Sequence, residues 1–287
     1  MKNKVKYLLL TLSLVTLSAC GQKANSDLEK EGTESEKVVV ASVGSDAEIW
    51  KFIATSAAAK EAGLEIEVKE ITGGPITNQA TADGDVDANA FQSIGYLESF
   101  NEDSAIQLAP VAATYVEPMG IYSDKFASLE EISAGATVAL ADNPSNTTRG
   151  LRLLETAGLI QLKADFDDGI GTPEDIVENP KNLQFTLIDD LTGPRILPDV
   201  DLVLIGNTIA LEGGLNVLQD SIFHEEADTA LRATVNVLAV KADRANEEKL
   251  IKLGELYHTP EVQAFVTEKF AGTKIEVDTA ITDIWRD

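Results

Sequence analysis

Residues Val38–Val68 read VVVASVGSDAEIWKFIATSAAAKEAGLEIEV. The opening VVVASV is apolar and β-branched, the composition of a buried strand. Gly44 interrupts it. Ser45 and Glu48 then stand at capping-box spacing, and Ile49, Phe52, Ile53 and Ala57 recur at helical spacing. Gly63 ends that helix. Leu64, Ile66 and Val68 alternate with Glu65, Glu67 and Lys69, which predicts a second strand with one wetter face.

The alternation continues outward. Helices are predicted near Thr77–Ala82, Ile94–Phe100, Thr147–Ala157, Asn246–Tyr257 and Pro260–Phe270. Strands are predicted near Val86–Ala90, Ile106–Ala112, Gly120–Tyr122, Thr137–Leu140, Gln184–Ile188, Leu202–Ile205 and Thr234–Val240. Ser128 and Glu131 repeat the capping-box spacing. Repeated strand–helix alternation implies an α/β protein with mainly parallel sheets covered by helices. In such sheets ligands bind beyond the carboxyl ends of the strands, so the strand-to-helix junctions are where chemistry is sought.

Upstream lies an address. Lys2, Lys4 and Lys6 precede a short apolar stretch, Tyr7–Val15, and then Leu17, Ser18, Ala19 and Cys20. This is a secretory signal layout. The apolar run is too short to span a bilayer, which takes roughly 20 residues. LSAC-G resembles a bacterial lipobox, so lipid on Cys20 is expected to hold the protein to the extracytoplasmic face of the cell membrane. Residues 21–36 are polar and aperiodic and read as a flexible tether.

Composition narrows the function. The formal net charge of −25 repels phosphate backbones and argues against nucleic-acid binding. Cys20 is the only cysteine, and the two histidines, His224 and His258, each stand alone, so no zinc site is expected. No nucleophile elbow, P-loop or H-E-x-x-H occurs. Glu225 with Glu226, and Asp189 with Asp190, read as solvated acidic surface rather than as a glycosidase pair. His258 reads as a cation at a helix end. No catalytic residue, metal or cofactor is expected, and the pattern favours binding.

Three junctions can hold a ligand. In DNPSNTTR, Asp142–Arg149, Asn143 or Asn146 can cap a helix whose free amides favour an anion, and Arg149 lies one turn beyond Asn146. Arginine can grip a carboxylate through two parallel hydrogen bonds. In NAFQSIGYL, Asn89–Leu97, Phe91 and Tyr96 offer apolar walls, and Gln92 and Ser93 offer hydrogen bonds. Trp50 lies off the core face of its helix and reads as a pocket wall, a lid contact or ordinary partial burial.

Taken together, ADGDVDANAFQ (Ala82–Gln92), Tyr96–Leu97, EPMGIYS (Glu117–Ser123), DNPSNTTR, AGLIQLK (Ala157–Lys163), DIVENPKNL (Asp175–Leu183), DVDLVLI (Asp199–Ile205) and YHTPEVQAF (Tyr257–Phe265) resemble the methionine-binding lipoprotein family of ABC importers, the MetQ/NlpA type. The resemblance implies a type II-like periplasmic-binding-protein fold, two α/β lobes joined by two crossover strands. The implied boundaries are a signal peptide at 1–19, the lipidated cysteine and tether at 20–36, one lobe at 37–117 plus 236–287, and the other at 118–235. It implies a monomer that closes on an amino acid (methionine, a related amino acid or a short peptide) and delivers it to a permease driven by an ATPase. Phe91 and Tyr96 become side-chain walls, Asn146 and Arg149 the carriers of the solute's carboxylate. Gln92, Ser93, Tyr115, Glu117, Asn143, Asn207 and Trp50 complete the expected ligand-binding set.

The sequence departs from the family pattern at Gly74, Ser93, Glu117 and Gly206, where an aromatic, a histidine, a tyrosine and an asparagine are usual; Asn207 stands one place later. These changes imply an enlarged or repolarised pocket, and Glu117 is expected to pair with an ammonium group. The alternatives are an adhesin or assembly factor on the same fold, which fold alone does not exclude, and a carboxylate-based surface hydrolase.

Overall fold

The computed structural model describes residues 35–227 and 231–285. The signal segment, Cys20 and nearly all of the tether lie outside the described residues. Among the described residues no helix is long and apolar enough to cross a membrane.

In chain order the strands are β1 (Glu36–Ser42), β2 (Leu64–Glu70), β3 (Ala88–Ser93), β4 (Leu108–Ala113), β5 (Tyr115–Val116), β6 (Met119–Tyr122), β7 (Thr137–Ala141), β8 (Gln161–Leu162), β9 (Ile176–Glu178), β10 (Gln184–Ile188), β11 (Leu202–Gly206), β12 (Phe223–His224), β13 (Asn236–Lys241) and β14 (Ile275–Glu276). They form two five-stranded sheets, ordered β2-β1-β3-β13-β4 and β10-β7-β11-β6-β12. Both sheets follow one plan. The earliest parallel strand, β1 or β7, is central to three parallel strands. The next position holds a strand antiparallel to both neighbours, β13 or β6.

The expectation of mainly parallel sheets is therefore corrected to mixed ones. The reason lies in the connections. The chain leaves the first sheet after β4 and enters the second as β6, then returns after β12 as β13, so each entering strand runs against the parallel set. Hydrophobic clusters cover both faces of each sheet. Val138 and Leu140 pack on one side of β7 and Ala139 on the other, and Leu202 and Leu204 oppose Val203 and Ile205 on β11. A sheet buried on both faces needs such unbroken apolar strands, which is why these runs were legible.

The helix after β1 spans Gly44–Thr55 and has Val43 at its N-cap, with no side-chain cap. The Ser45–Glu48 capping box is thus not formed. Ser45 instead approaches Thr208, Oγ to Oγ1 at 3.3 Å. The Ser128–Glu131 box is not formed either: Leu129–Glu131 is a single 3-10 turn, and Glu131 accepts from the amide of Ala127. Gly44 has φ +51°, and a Cβ there would strike Glu212, so this position needs glycine both for conformation and for space.

Trp50 is 2% exposed and packs in the core of the first half. Its ring centroid lies 6.2 Å from that of Tyr257. The Gly44–Thr55 helix contacts the sheet and also the Asn207–Glu212 and Pro260–Phe270 helices, so a residue off the sheet-facing side is still covered.

Candidate functional site

The carboxyl ends of β1, β3, β7, β10 and β11 converge on a cavity of about 330 Å³, within the range of small-molecule sites. Phe91, Gln92, Ser93, Tyr96, Glu117, Asn143, Asn146 and Arg149 line it, together with Gly74, Asp142, Asp189, Asp190, Gly206, Thr208, Glu212 and Asn236. Tyr115, Asn207 and Trp50 do not border it. Tyr115 is buried and donates to Asp46 at 2.5 Å. Asn207 turns inward and donates to Glu117 Oε2 at 3.0 Å, because one step along the helix start from Gly206 changes the side on which a residue projects.

The wall from the first sheet is neutral. β3 carries Asn89, Phe91, Gln92 and Ser93. Alternation along the strand separates Phe91 and Ser93 from Gln92. Gln92 is buried and belongs to a carboxamide network: it donates to Asn78 at 2.6 Å and to Asn89 at 2.8 Å, and accepts from Asn78 at 2.8 Å. Asn89 donates onward to Thr81 at 2.7 Å. Ser93 caps the Ile94–Asp103 helix by accepting from the amide of Tyr96. The rings of Phe91 and Tyr96 meet edge to face, 5.8 Å apart. A Cβ on Gly74 would stand 2.2 Å from the Tyr96 hydroxyl oxygen and 3.1 Å from Phe91. The space expected from the missing aromatic is thus taken up, at least in part, by these two rings.

The wall from the second sheet is charged. Asn143 caps the Pro144–Thr156 helix by accepting from the Asn146 amide at 2.9 Å, as its sequence position suggests. The side-chain amides of Asn143 and Asn146 both donate to Asp190 Oδ2, at 3.0 and 2.8 Å. Burial raises the Asp190 carboxyl above its usual range, against the pull of the two asparagines; Asp189 and Asp142 push the same way as burial. Tyr96 is raised by burial and then by Asp190, Asp142 and Asp189, which marks these acids as its neighbours. Asp190 is therefore part of the cavity and not the solvated surface expected of it. It follows the carboxyl end of a parallel strand, the position already sought, but the following 3-10 turn, Asp190–Thr192, is too short to show as a helix.

Arg149 reaches the cavity with one edge of its guanidinium occupied. Nε donates to Glu225 at 2.9 and 3.1 Å; Nη2 donates to Glu225 at 2.5 Å and to the Glu117 carbonyl at 2.6 Å. Burial alone would lower its affinity for a proton, but Glu225, with smaller contributions from Glu117 and Tyr115, raises it. Glu225 is thus a buried-edge partner rather than surface.

Between the walls lies a charged seam. Glu117 was expected to pair with the solute's ammonium group; here the ammonium group it meets is that of Lys274. Lys274 is fully buried and donates to Glu117 at 3.0 Å, Asp46 at 2.9 Å and Thr208 at 2.8 Å. Burial would raise Glu117, yet Lys274 and Asn207 hold its carboxyl below the usual range. Burial dominates at Asp46 and raises it, with Lys274 opposing. Nothing in the sequence marks Lys274, whose neighbours show no periodicity. Asn236 was also missed, although a polar residue opening an otherwise apolar strand is a usable signal. His258 stands at the C-cap of the Glu248–Tyr257 helix and bonds to Glu276 and to the Ala113 carbonyl.

Two mixed sheets with a polar cavity at their strand ends are the architecture of periplasmic substrate-binding proteins. The family model described as NlpA lipoprotein matches residues 38–277. A probable D-methionine-binding lipoprotein MetQ of Pasteurella multocida is 34% identical over 91% of this chain and 94% of its own length. A nutrient-binding protein from Burkholderia cenocepacia bound to methionine superposes with a TM-score of 0.79 at 35% identity, covering 83% of this chain and 99% of that one. An ABC transporter periplasmic substrate-binding protein from Coxiella burnetii gives 0.78 at 34%, covering 84% and 100%. The chain belongs to the NlpA lipoprotein family.

Proposed function

We propose that this protein is the solute receptor of an ABC importer. It captures an amino acid, methionine or a relative or a short peptide containing it, in the cavity between its two halves, residues 37–117 with 236–287 and 118–235. It then presents the solute to a permease powered by an ATPase. Lipid on Cys20 anchors it on the extracytoplasmic face, and it works as a monomer without enzymatic activity.

The observation that carries this reading is the meeting of an arginine, a capped helix start and an aromatic pair in one cavity of about 330 Å³. Arg149 supplies charge-assisted donors to a carboxylate. Phe91 and Tyr96 supply apolar walls, and Ser93, Asn236 and the acids supply acceptors for an ammonium group. The relatives named above, which include methionine binders, support the solute class. Closure follows if the closed form binds the solute better than the open one.

A melting-temperature screen tests the reading. A ligand that binds only the folded state stabilises it, by about 2.7 kcal/mol at a hundredfold excess over Kd. The panel is the amino acids in both chiral forms, methionine sulfoxides and methionine dipeptides. Methionine or a close relative is expected to raise the midpoint. No shift with any member contradicts the proposal.

A further inference from the structure

Arg149 carries five N–H donors, and the chain itself uses those of Nε and Nη2. Glu225 takes that edge with both carboxylate oxygens, and the Glu117 carbonyl takes the remaining hydrogen of Nη2. Nη1 makes no hydrogen bond to the described residues. The side-by-side grip of two nitrogens on a solute carboxylate, expected from sequence, is therefore already spent inside the protein. Glu225 is itself held: it follows β12, its amide donates to the Met119 carbonyl at 3.0 Å, and its Oε2 accepts from the Met119 amide at 2.8 Å. The guanidinium plane is thereby fixed to the β6–β12 edge of the second sheet, on strands the sequence places apart from the helix bearing Arg149.

We propose that Glu225 is the positioning residue of the carboxylate site: it pins the Nε–Nη2 edge of Arg149 so that Nη1 alone meets the solute and holds its carboxylate end-on. This rests on the solute-receptor reading and adds the way the arginine is used. A free arginine side chain spends rotamer entropy on binding, and one already locked does not. Glu225 also balances the arginine's charge, so the site selects by the direction of the Nη1 hydrogens more than by net attraction. A lysine at 149 has a single nitrogen and cannot serve Glu225 and the solute at once in this geometry.

The test is calorimetric titration of the full-length chain in detergent micelles with L-methionine and with L-methioninamide, for wild type, Glu225→Gln and Glu225→Ala. The wild type is expected to favour methionine over its amide. Glu225→Ala is expected to lose about tenfold or more in methionine affinity and much less in methioninamide affinity, so the preference narrows; each 1.4 kcal/mol is tenfold. Glu225→Gln keeps one acceptor and falls between. Methionine affinity that is unchanged or tighter in Glu225→Ala overturns the inference, since Glu225 would then be idle or a competitor. Equal losses for both ligands also overturn it, leaving a merely structural residue. If the wild type binds neither probe nor any acid of the panel, the receptor reading falls and this inference with it.

Discussion

The two walls of the cavity are built on opposite principles. The first-sheet wall is neutral, and its polar groups are spent on one another: Gln92, Asn78, Asn89 and Thr81 form a closed network behind Phe91 and Ser93. The second-sheet wall is charged, and its charges are partly balanced by the chain's own: Asp190 against two asparagine amides, Arg149 against Glu225. The difference separates shape from recognition. Disturbing the first wall is expected to cost stability before affinity, and disturbing the second to cost affinity before stability.

The seam that joins the walls provides the largest expected effect. Lys274→Met leaves Asp46 and Glu117 buried without their cation, and breaking such a group costs about 3–5 kcal/mol. Urea unfolding would read the loss directly, and a change within error would remove the seam from the account. Arg149→Ala comes next. If it leaves the solute carboxylate unmatched, binding weakens by about 2–5 kcal/mol, with a smaller loss of stability in the ligand-free chain. Calorimetry and unfolding on the same samples would separate the two.

On the neutral wall the order reverses. Gln92→Ala strips partners from buried Asn78 and Asn89, at about 1–3 kcal/mol of stability. Its effect on affinity should be the lesser one, since Gln92 acts by holding β3 and the adjacent helix together. An affinity loss exceeding the stability loss would break the comparison. The smallest effect concerns Asp190→Asn, which keeps an acceptor for Asn143 and Asn146. The Asp190 carboxyl is raised in the folded state, so at neutral pH its ionised form costs stability that the unfolded chain does not pay. The variant should be slightly more stable than wild type at pH 7. Its advantage should shrink as the pH falls through the raised folded value and vanish below the unfolded one. Unfolding curves at several pH values check this sign.

The same contrast explains what could be read in advance. β1, β7 and β11 were legible because sheets covered on both faces demand apolar runs, and Asn143 was legible because a helix start has a local chemistry. Phe91, Tyr96 and Arg149 could be singled out because each sits at a strand-to-helix junction of a recognisable motif, and all three border the cavity. What escaped is non-local. Glu225 meets Arg149 across 76 residues of sequence and Lys274 meets Glu117 across 157, and no pattern within either segment records the partner. Trp50 was left undecided because its covering helix comes from the far end of the chain. The two capping boxes failed because a serine with a glutamate three residues on is common, and here a tertiary contact with Thr208 engages Ser45 and a local one with the Ala127 amide engages Glu131 instead.

The most direct measurement is a crystal structure of the protein grown with saturating methionine. The account predicts density in the cavity with the carboxylate within about 3.2 Å of Arg149 Nη1, the side chain against Phe91 and Tyr96, and Glu225 still seated on the other edge of the guanidinium. An empty cavity, or a solute lying with its carboxylate away from Arg149, would contradict it.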